Sequence, residues 1–69
     1  MVVCTLQQIL EQRGLSQRAL AKRSGLHRDT IARLCRDEWL LIDRGTLNML
    51  CGALRVRPAR LFRWEDEDL

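Results

Sequence analysis

The side chains of this sequence with the strongest capacity for binding chemistry are its arginines. Eleven of the twelve basic residues are Arg, and the remaining one is Lys22. A guanidinium group is a planar fork of N–H donors that can hold a phosphate, or the edge of a guanine base, through two parallel hydrogen bonds. A polyanion is therefore the first partner that the sequence suggests.

This basic charge is concentrated in one part of the chain. The 69 residues include 12 Lys and Arg against 9 Asp and Glu, a formal net charge of +3. Four of the acids lie in Glu65–Asp68, so residues 1–64 hold twelve bases and five acids, a net of +7. We expect a basic binding domain at 1–64 and an acidic C-terminal tail at 65–69. That tail is either a solvated segment or one that competes for the basic face, in the same or another subunit.

Groups able to catalyse a reaction or to hold a metal ion are few. His27 is the only histidine, and with two serines in the chain no nucleophile, base and orienting group can be combined. Cys4, Cys35 and Cys51 form neither a CxxC motif nor a cluster with histidine, so we expect no metal site. We therefore expect no enzymatic activity, no cofactor and no small-molecule ligand.

The cysteines and the apolar segments also bear on where the protein resides. An odd number of widely spaced cysteines is typical of a reduced, intracellular protein. The longest apolar run, Trp39–Ile42, is too short to cross a bilayer. We expect a cytoplasmic protein without a membrane partner, with Cys35 and Cys51 in its core and Cys4 as the one candidate for an exposed thiol.

Apolar residues at three- and four-residue spacing predict the elements that position these side chains. The sequence is 46% hydrophobic but has only three aromatic residues, a composition that favours helices over a β-sandwich. No alternation typical of a β-strand is found, so the predicted fold is all-α and compact, with five helices. These are expected at 3–13, from the N-cap Ser16 to Gly25, at 28–36, after the N-cap Asp43, and from Pro58 onward.

The segment 16–34 has the organisation of a helix-turn-helix, two short helices joined by a tight turn that contains glycine. Gly25 lies at the turn, and Ile31 and Leu34 seat the second of the two helices on the core. At 100° per residue, four side chains of that helix then point outward. They are Arg28, Asp29, Ala32 and Arg33.

The ordered motifs of this region resemble the Cro/C1-type (XRE-family) helix-turn-helix DNA-binding domain. The resemblance covers about residues 4–63 and implies a five-helix, lambda-repressor-like fold whose third helix lies in the major groove of double-stranded DNA. It is carried by Gly14-Leu15-Ser16-Gln17, Leu20-Ala21, Ser24-Gly25-Leu26, Thr30-Ile31-Ala32-Arg33-Leu34, Asp43–Leu54 and Val56-Arg57-Pro58-Ala59-Arg60-Leu61-Phe62.

The resemblance also implies a function and a set of contacts. A small prokaryotic or phage regulator is expected, most simply a repressor that occupies a DNA operator, and a homodimer would place two recognition helices about 34 Å apart. The positions implied to face base edges are His27, Arg28, Asp29 and Arg33. The positions implied to face phosphate are Ser16, Gln17, Thr30, Arg36 and Arg44.

Several of these residues also have a simpler interpretation. Asp29 and Arg33 are four positions apart, so they can form a surface ion pair, read bases, or do both. His27 can cap the third helix, contact DNA, or do neither. Arg36 and Arg44 can be solvated, and Arg55, Arg57, Arg60 and Arg63 are expected to face solvent.

Two wider alternatives concern interfaces. The segment Trp39–Ile42 either packs under the fifth helix or belongs to a dimer surface with Leu61, Phe62 or Trp64, because contiguous exposed apolar surface usually marks an interface. The whole domain can also serve as a protein-interaction adaptor or antitoxin subunit. A salt-dependent DNA-binding assay separates this alternative from a DNA-binding regulator.

Overall fold

The computed structural model describes residues 1–66 and is mostly helical. The prediction of five helices is confirmed over this range, and their bounds lie close to those expected. In chain order the elements are β1 (Val2–Cys4), α1 (Leu6–Arg13), α2 (Gln17–Ser24), α3 (Arg28–Cys35), α4 (Arg44–Leu54), α5 (Pro58–Leu61) and β2 (Phe62–Trp64). Of the expected acidic tail, residues 67–69 lie outside the described part of the chain.

The prediction of a strictly all-α fold is wrong, because the two ends of the domain form a small sheet. β1 pairs antiparallel with β2, with Val2 opposite Trp64 and Cys4 opposite Phe62. The first helix therefore begins at Leu6 rather than at residue 3. The β-branched start of the chain finds its hydrogen-bond partners about sixty residues away, where no local periodicity can reveal them.

An aliphatic core joins all five helices. Nine buried residues form it, and each of α1 to α5 contributes at least one, so no helix is held by its own backbone alone. They are Leu6, Ile9, Leu10, Leu20, Ile31, Leu34, Leu50, Leu54 and Leu61. Cys35 and Cys51, expected in the core, are half-buried and pack against this cluster without being part of it.

The turn between α2 and α3 has the geometry that its sequence predicts. Gly25 adopts the left-handed conformation, with φ of 80°, and its N–H donates to the Ala21 carbonyl. The Ser24 hydroxyl accepts from the Leu26 N–H at 3.1 Å, which closes the turn. α3 is thereby fixed directly after α2, with Ile31 and Leu34 buried.

The connection between α3 and α4, residues 36–43, is anchored to the sheet. Asp37 is left-handed, with φ of 58°, and its Oδ1 accepts from the Cys4 N–H at 2.9 Å and from Trp39 Nε1 at 2.6 Å. The Trp39 ring lies 5.1 Å from that of Phe62, centroid to centroid. We call residues 36–43 the anchored loop.

The apolar run in the anchored loop does not pack as one unit. Trp39 and Ile42 pack against the core, and the Trp39 ring contacts Phe62, which directly follows α5. Leu40 and Leu41 instead remain 95% and 92% exposed, so of the two alternatives for this run, packing does not hold for these two residues. None of the helices within residues 1–66 combines the length and the apolar character needed to cross a membrane.

Candidate nucleic-acid interface

The start of α2 is a capped helix terminus with free backbone donors. Ser16 occupies the N-cap in an extended conformation, and its Oγ accepts from the Ala19 N–H at 3.0 Å. The N–H groups of the first helical residues, Gln17 and Arg18, have no acceptor within the helix and carry the positive end of its dipole. The hydroxyl hydrogen of Ser16 remains available as a further donor. This terminus can therefore bind a phosphate oxygen.

The start of α3 is capped by histidine. His27 is extended, and its Nδ1 accepts from the Asp29 N–H at 3.2 Å. Of the three roles that the sequence leaves open for His27, the structure thus shows capping. Because Nδ1 is the acceptor, the neutral ring carries its hydrogen on Nε2, which can donate to a base edge or a phosphate.

Arg28 follows as the first residue of α3 and is exposed. Within residues 1–66 its guanidinium takes part in none of the ion pairs, which involve Arg33, Arg36 and Arg63. All of its N–H donors are consequently free to bind guanine O6 and N7, or a phosphate, without first breaking a contact.

Asp29 and Arg33 form the ion pair expected from their spacing. Arg33 Nε lies 3.2 Å from Asp29 Oδ2, and the two side chains are 64% and 61% exposed. Such an exposed pair contributes only about 0.3–0.5 kcal/mol to stability. It nevertheless holds Arg33 through Nε, which leaves the two terminal nitrogens of the guanidinium free to face a base.

A groove of about 510 Å³ separates α3 from the anchored loop and the start of α4. Thr30 is half-buried and lines the groove together with Asp29 and Arg33, and Leu40 and Leu41 of the anchored loop also line it. The structure therefore brings three of the predicted contact residues to one concave surface. Ser16 and Gln17 lie in a separate depression beside α1.

The two arginines that flank the anchored loop differ in their surroundings. Arg36 Nε lies 3.1 Å from Glu38 Oε2, so part of its charge is neutralised within the loop. Arg44 is the first residue of α4 and is exposed, and no acidic partner for it lies within residues 1–66. Of the two, Arg44 is the better placed to bind phosphate.

Asp43 adds a negative charge beside this surface. It occupies the N-cap position of α4, as predicted, and accepts a hydrogen bond from the Thr46 hydroxyl. That hydrogen bond lowers the pKa of Asp43 below its ordinary value, so the carboxylate stays ionised. A carboxylate here repels phosphate and so opposes part of the attraction that the adjacent Arg44 exerts on a polyanion.

The thiols do not add chemistry to the surface. Burial raises the pKa of Cys4 above its ordinary value, and burial likewise raises the pKa of the Cys35 thiol to about 11. A thiol with a raised pKa is a poor nucleophile. Cys4, the expected candidate for an exposed thiol, is in fact half-buried against the core.

The four arginines after α4 lie outside the site. Arg55, Arg57, Arg60 and Arg63 are exposed, as predicted, and Arg63 pairs with Glu65 at 2.6 Å. Sequence reasoning gave no role to Arg13, which donates to the Leu54 carbonyl and so caps the end of α4. The local pattern around Arg13 contains no signal for that contact, because its acceptor is 41 residues away.

A tight turn joins α2 to α3, and α3 presents Arg28 and Arg33 outward from a compact helical core. These features define a helix-turn-helix protein. Comparison with known families agrees. The sequence model of the Cro/C1-type HTH DNA-binding domain matches residues 5–67, and the chain belongs to that family. Among curated proteins, none matches the chain significantly. The protein is thus a DNA-binding regulator of a family that is typically non-enzymatic.

Proposed function

We propose that the protein is a sequence-specific repressor that binds an operator in double-stranded DNA and inserts α3 into the major groove. The outward surface of α3 is the observation that carries this proposal. Arg28, Asp29 and Arg33 are exposed on one side of the helix, while Ile31 and Leu34 bury the other side. α3 is thus rigidly mounted with its hydrogen-bonding groups directed away from the core, as base recognition requires.

In this mechanism the phosphate contacts position the helix before bases are read. Ser16 and Gln17 at the start of α2 would hold one phosphate. Further phosphates along the same backbone would be held by Thr30, Arg36 and Arg44. The net charge of +7 over residues 1–64 attracts the duplex and brings α3 to the groove.

The base contacts follow from the donors and acceptors of α3. Arg28 and Arg33 can each hold guanine O6 and N7, and Asp29 can accept from cytosine N4. His27 can donate through Nε2. These groups favour a half-site that contains G·C pairs, and two copies of the protein would occupy half-sites about 34 Å apart. Repression then follows from steric exclusion of other proteins from the operator.

The test begins with selection of duplexes from a random pool, followed by fluorescence anisotropy at increasing salt. We expect a selected sequence with G·C pairs and an affinity that falls steeply as salt rises, because several phosphates are neutralised. Arg28→Ala should weaken binding to the selected duplex, whereas the exposed Arg57→Ala should serve as a matched control with little effect. Selection of A·T-only sites would refute the base assignment. No binding to any duplex at about 50 mM salt would refute the function and favour the adaptor or antitoxin alternative.

A further inference from the structure

The small sheet at the ends of the domain extends beyond the core that supports it. At one end of the sheet, Cys4 and Phe62 lie opposite each other and pack against the core. At the other end, Val2 and Trp64 lie opposite each other and are 45% and 69% exposed. Two adjoining apolar side chains with this exposure, one of them an indole, are typical of a contact with another molecule. The proposed function gives Trp64 no role.

The hydrogen-bond pattern of the sheet shows which peptide groups of β2 are directed outward. The Glu65 N–H donates to the Met1 carbonyl at 2.8 Å, and the Met1 amino group donates back to the Glu65 carbonyl. Peptide groups alternate in direction along a strand. Those of Phe62 and Trp64 therefore point away from β1, toward the outer edge of β2.

The two outer edges of this sheet differ. The edge of β1 is occupied by the anchored loop, because the Cys4 N–H donates to Asp37 Oδ1 there. The sheet has two strands, and within residues 1–66 no third strand covers the outer edge of β2. Such an edge presents unpaired N–H and carbonyl groups to which another strand can add.

The residues on either side of Trp64 have opposite charges. Arg63 precedes Trp64 and Glu65 follows it, and their side chains share one face of the strand, with Arg63 Nη2 2.6 Å from Glu65 Oε1. If two β2 strands pair antiparallel about Trp64, each Arg63 lies opposite Glu65 of the other copy. The edge is thus complementary in charge to itself, which favours a second copy of this chain over an unrelated strand.

The neighbouring registers bring like charges together. Outward-directed peptide groups pair only with one another, so the strands can shift only in steps that align Phe62, Trp64 or Asp66. Alignment of Trp64 with Phe62 sets the two Arg63 side chains opposite each other. Alignment of Trp64 with Asp66 does the same for the two Glu65 side chains. Like charges directly opposite each other destabilise a sheet, so charge selects the register centred on Trp64.

We propose that two copies of the chain associate through β2, whose strands pair antiparallel about Trp64 and form a four-stranded sheet. The two indoles lie side by side on one face, and two Arg63–Glu65 pairs between the copies lie on the other. Each core is at the Phe62 end of its own strand, so the two domains extend in opposite directions from the contact. This inference rests on the proposed function only because two half-sites require two copies.

The contact is small but largely formed in advance. Two strands of three residues supply less than the roughly 800 Å² per partner of a stable complex, so the dimer forms at high protein concentration. Trp64 Nε1 donates to Asp66 Oδ1 at 2.8 Å, which already orients the indole. Its ordering therefore costs little when the second copy binds.

The experiment measures the mass of the full chain without DNA, by sedimentation equilibrium from about 10 μM to 1 mM protein at low ionic strength. The parent is compared with Arg63→Glu, with Glu65→Arg, and with an equimolar mixture of these two variants. Arg57→Glu is the matched control, because it reverses the charge of an exposed arginine outside β2. Circular dichroism checks the folding of each variant, which should be retained because both substituted side chains of β2 are about half exposed.

We expect the parent and Arg57→Glu to dimerise alike. Each single variant of β2 sets like charges opposite each other in a dimer with itself, so its association should be weaker by about tenfold or more. The mixture should recover the association of the parent, because one variant carries acids and the other bases at both positions. No other register pairs these charges, so recovery reports the contact itself.

The inference would be overturned by a parent that remains monomeric at the highest concentration, by single variants that dimerise like the parent, or by a mixture that does not recover. Titration of a single half-site duplex separates this inference from the proposed function. A monomeric parent that binds the half-site leaves the proposed function intact. A parent that dimerises as expected but binds no duplex refutes the proposed function and leaves the contact through β2 standing.

Discussion

Substitutions at His27 can distinguish a role in capping α3 from a role in DNA recognition. Its Nδ1 accepts the Asp29 N–H at the start of α3, which leaves Nε2 as the donor of the neutral ring. His27→Ala removes both groups at once. His27→Asn restores an N-cap acceptor, since Asn is among the best N-cap residues, but it places no imidazole at the DNA surface.

The expected effect on stability follows from the cap. Replacement of a Ser, Thr, Asn or Asp N-cap by Ala costs about 1 kcal/mol, which we take as the upper bound for His27, and the free energy of unfolding of a domain this small is only several kcal/mol. For domains of 60–100 residues, about 1 kcal/mol corresponds to a fall in Tm of roughly 4–8 °C. We therefore expect His27→Ala to melt several degrees below the parent and His27→Asn to melt close to it.

The assay combines thermal unfolding followed by circular dichroism with anisotropy on the selected duplex. If His27 also faces a base, His27→Asn should keep the Tm of the parent yet change the preferred base at one position of the half-site. If the role is capping alone, His27→Asn should match the parent in both measurements. A His27→Ala variant that melts at the temperature of the parent would refute the inferred contribution of the cap.

Three further predictions concern α3. Arg28→Ala should cost about 1–3 kcal/mol of specific binding, measured by anisotropy with the selected and an unrelated duplex, and should leave the Tm in thermal unfolding nearly unchanged, because the side chain is exposed. Asp29→Asn should alter stability by less than about 0.5 kcal/mol but relax base preference where Arg33 binds, as a repeated selection would show; an unchanged preference would contradict the orienting role. Burial raises the pKa of Cys35 to about 11, so the native state binds this proton more tightly than the unfolded chain, whose thiol titrates near 9.0. The free energy of unfolding should therefore fall as pH rises from about 9 to 11 in urea titrations with reductant, and Cys35→Ala should reduce this fall.

Much of the helical framework was predictable because its signals are local. Apolar residues recur at helical spacing in α4, Ser16 supplies a capping hydroxyl, and Gly25 permits a left-handed turn. Each signal lies within a few residues of the helix, or the helix end, that it predicts. The left-handed Gly25 and the Ser16 cap are both confirmed. The spacing of Asp29 and Arg33 similarly predicts an ion pair, since residues four apart share a helix face.

The anchored loop shows where local signals end. Four consecutive apolar residues predict burial or an interface, but the sequence does not indicate which of them face inward. The two hydrogen bonds to Asp37 and the contact of Trp39 with Phe62 divide the run, so its ends are packed and its middle is exposed. The Cys4–Asp37 hydrogen bond and the Trp39–Phe62 contact join positions more than twenty residues apart, which is why the pattern alone cannot resolve them.

The sequence by itself determined that the protein has a basic body, a helix-turn-helix and an outward row of Arg28, Asp29 and Arg33. Composition and helical periodicity are sufficient for these properties because each depends on residues close together in the chain. The tertiary structure alone decided that the ends of the domain pair as strands and that Leu40 and Leu41 stand beside α3. Both depend on hydrogen bonds and packing between distant segments, which form only when the whole core of the domain assembles.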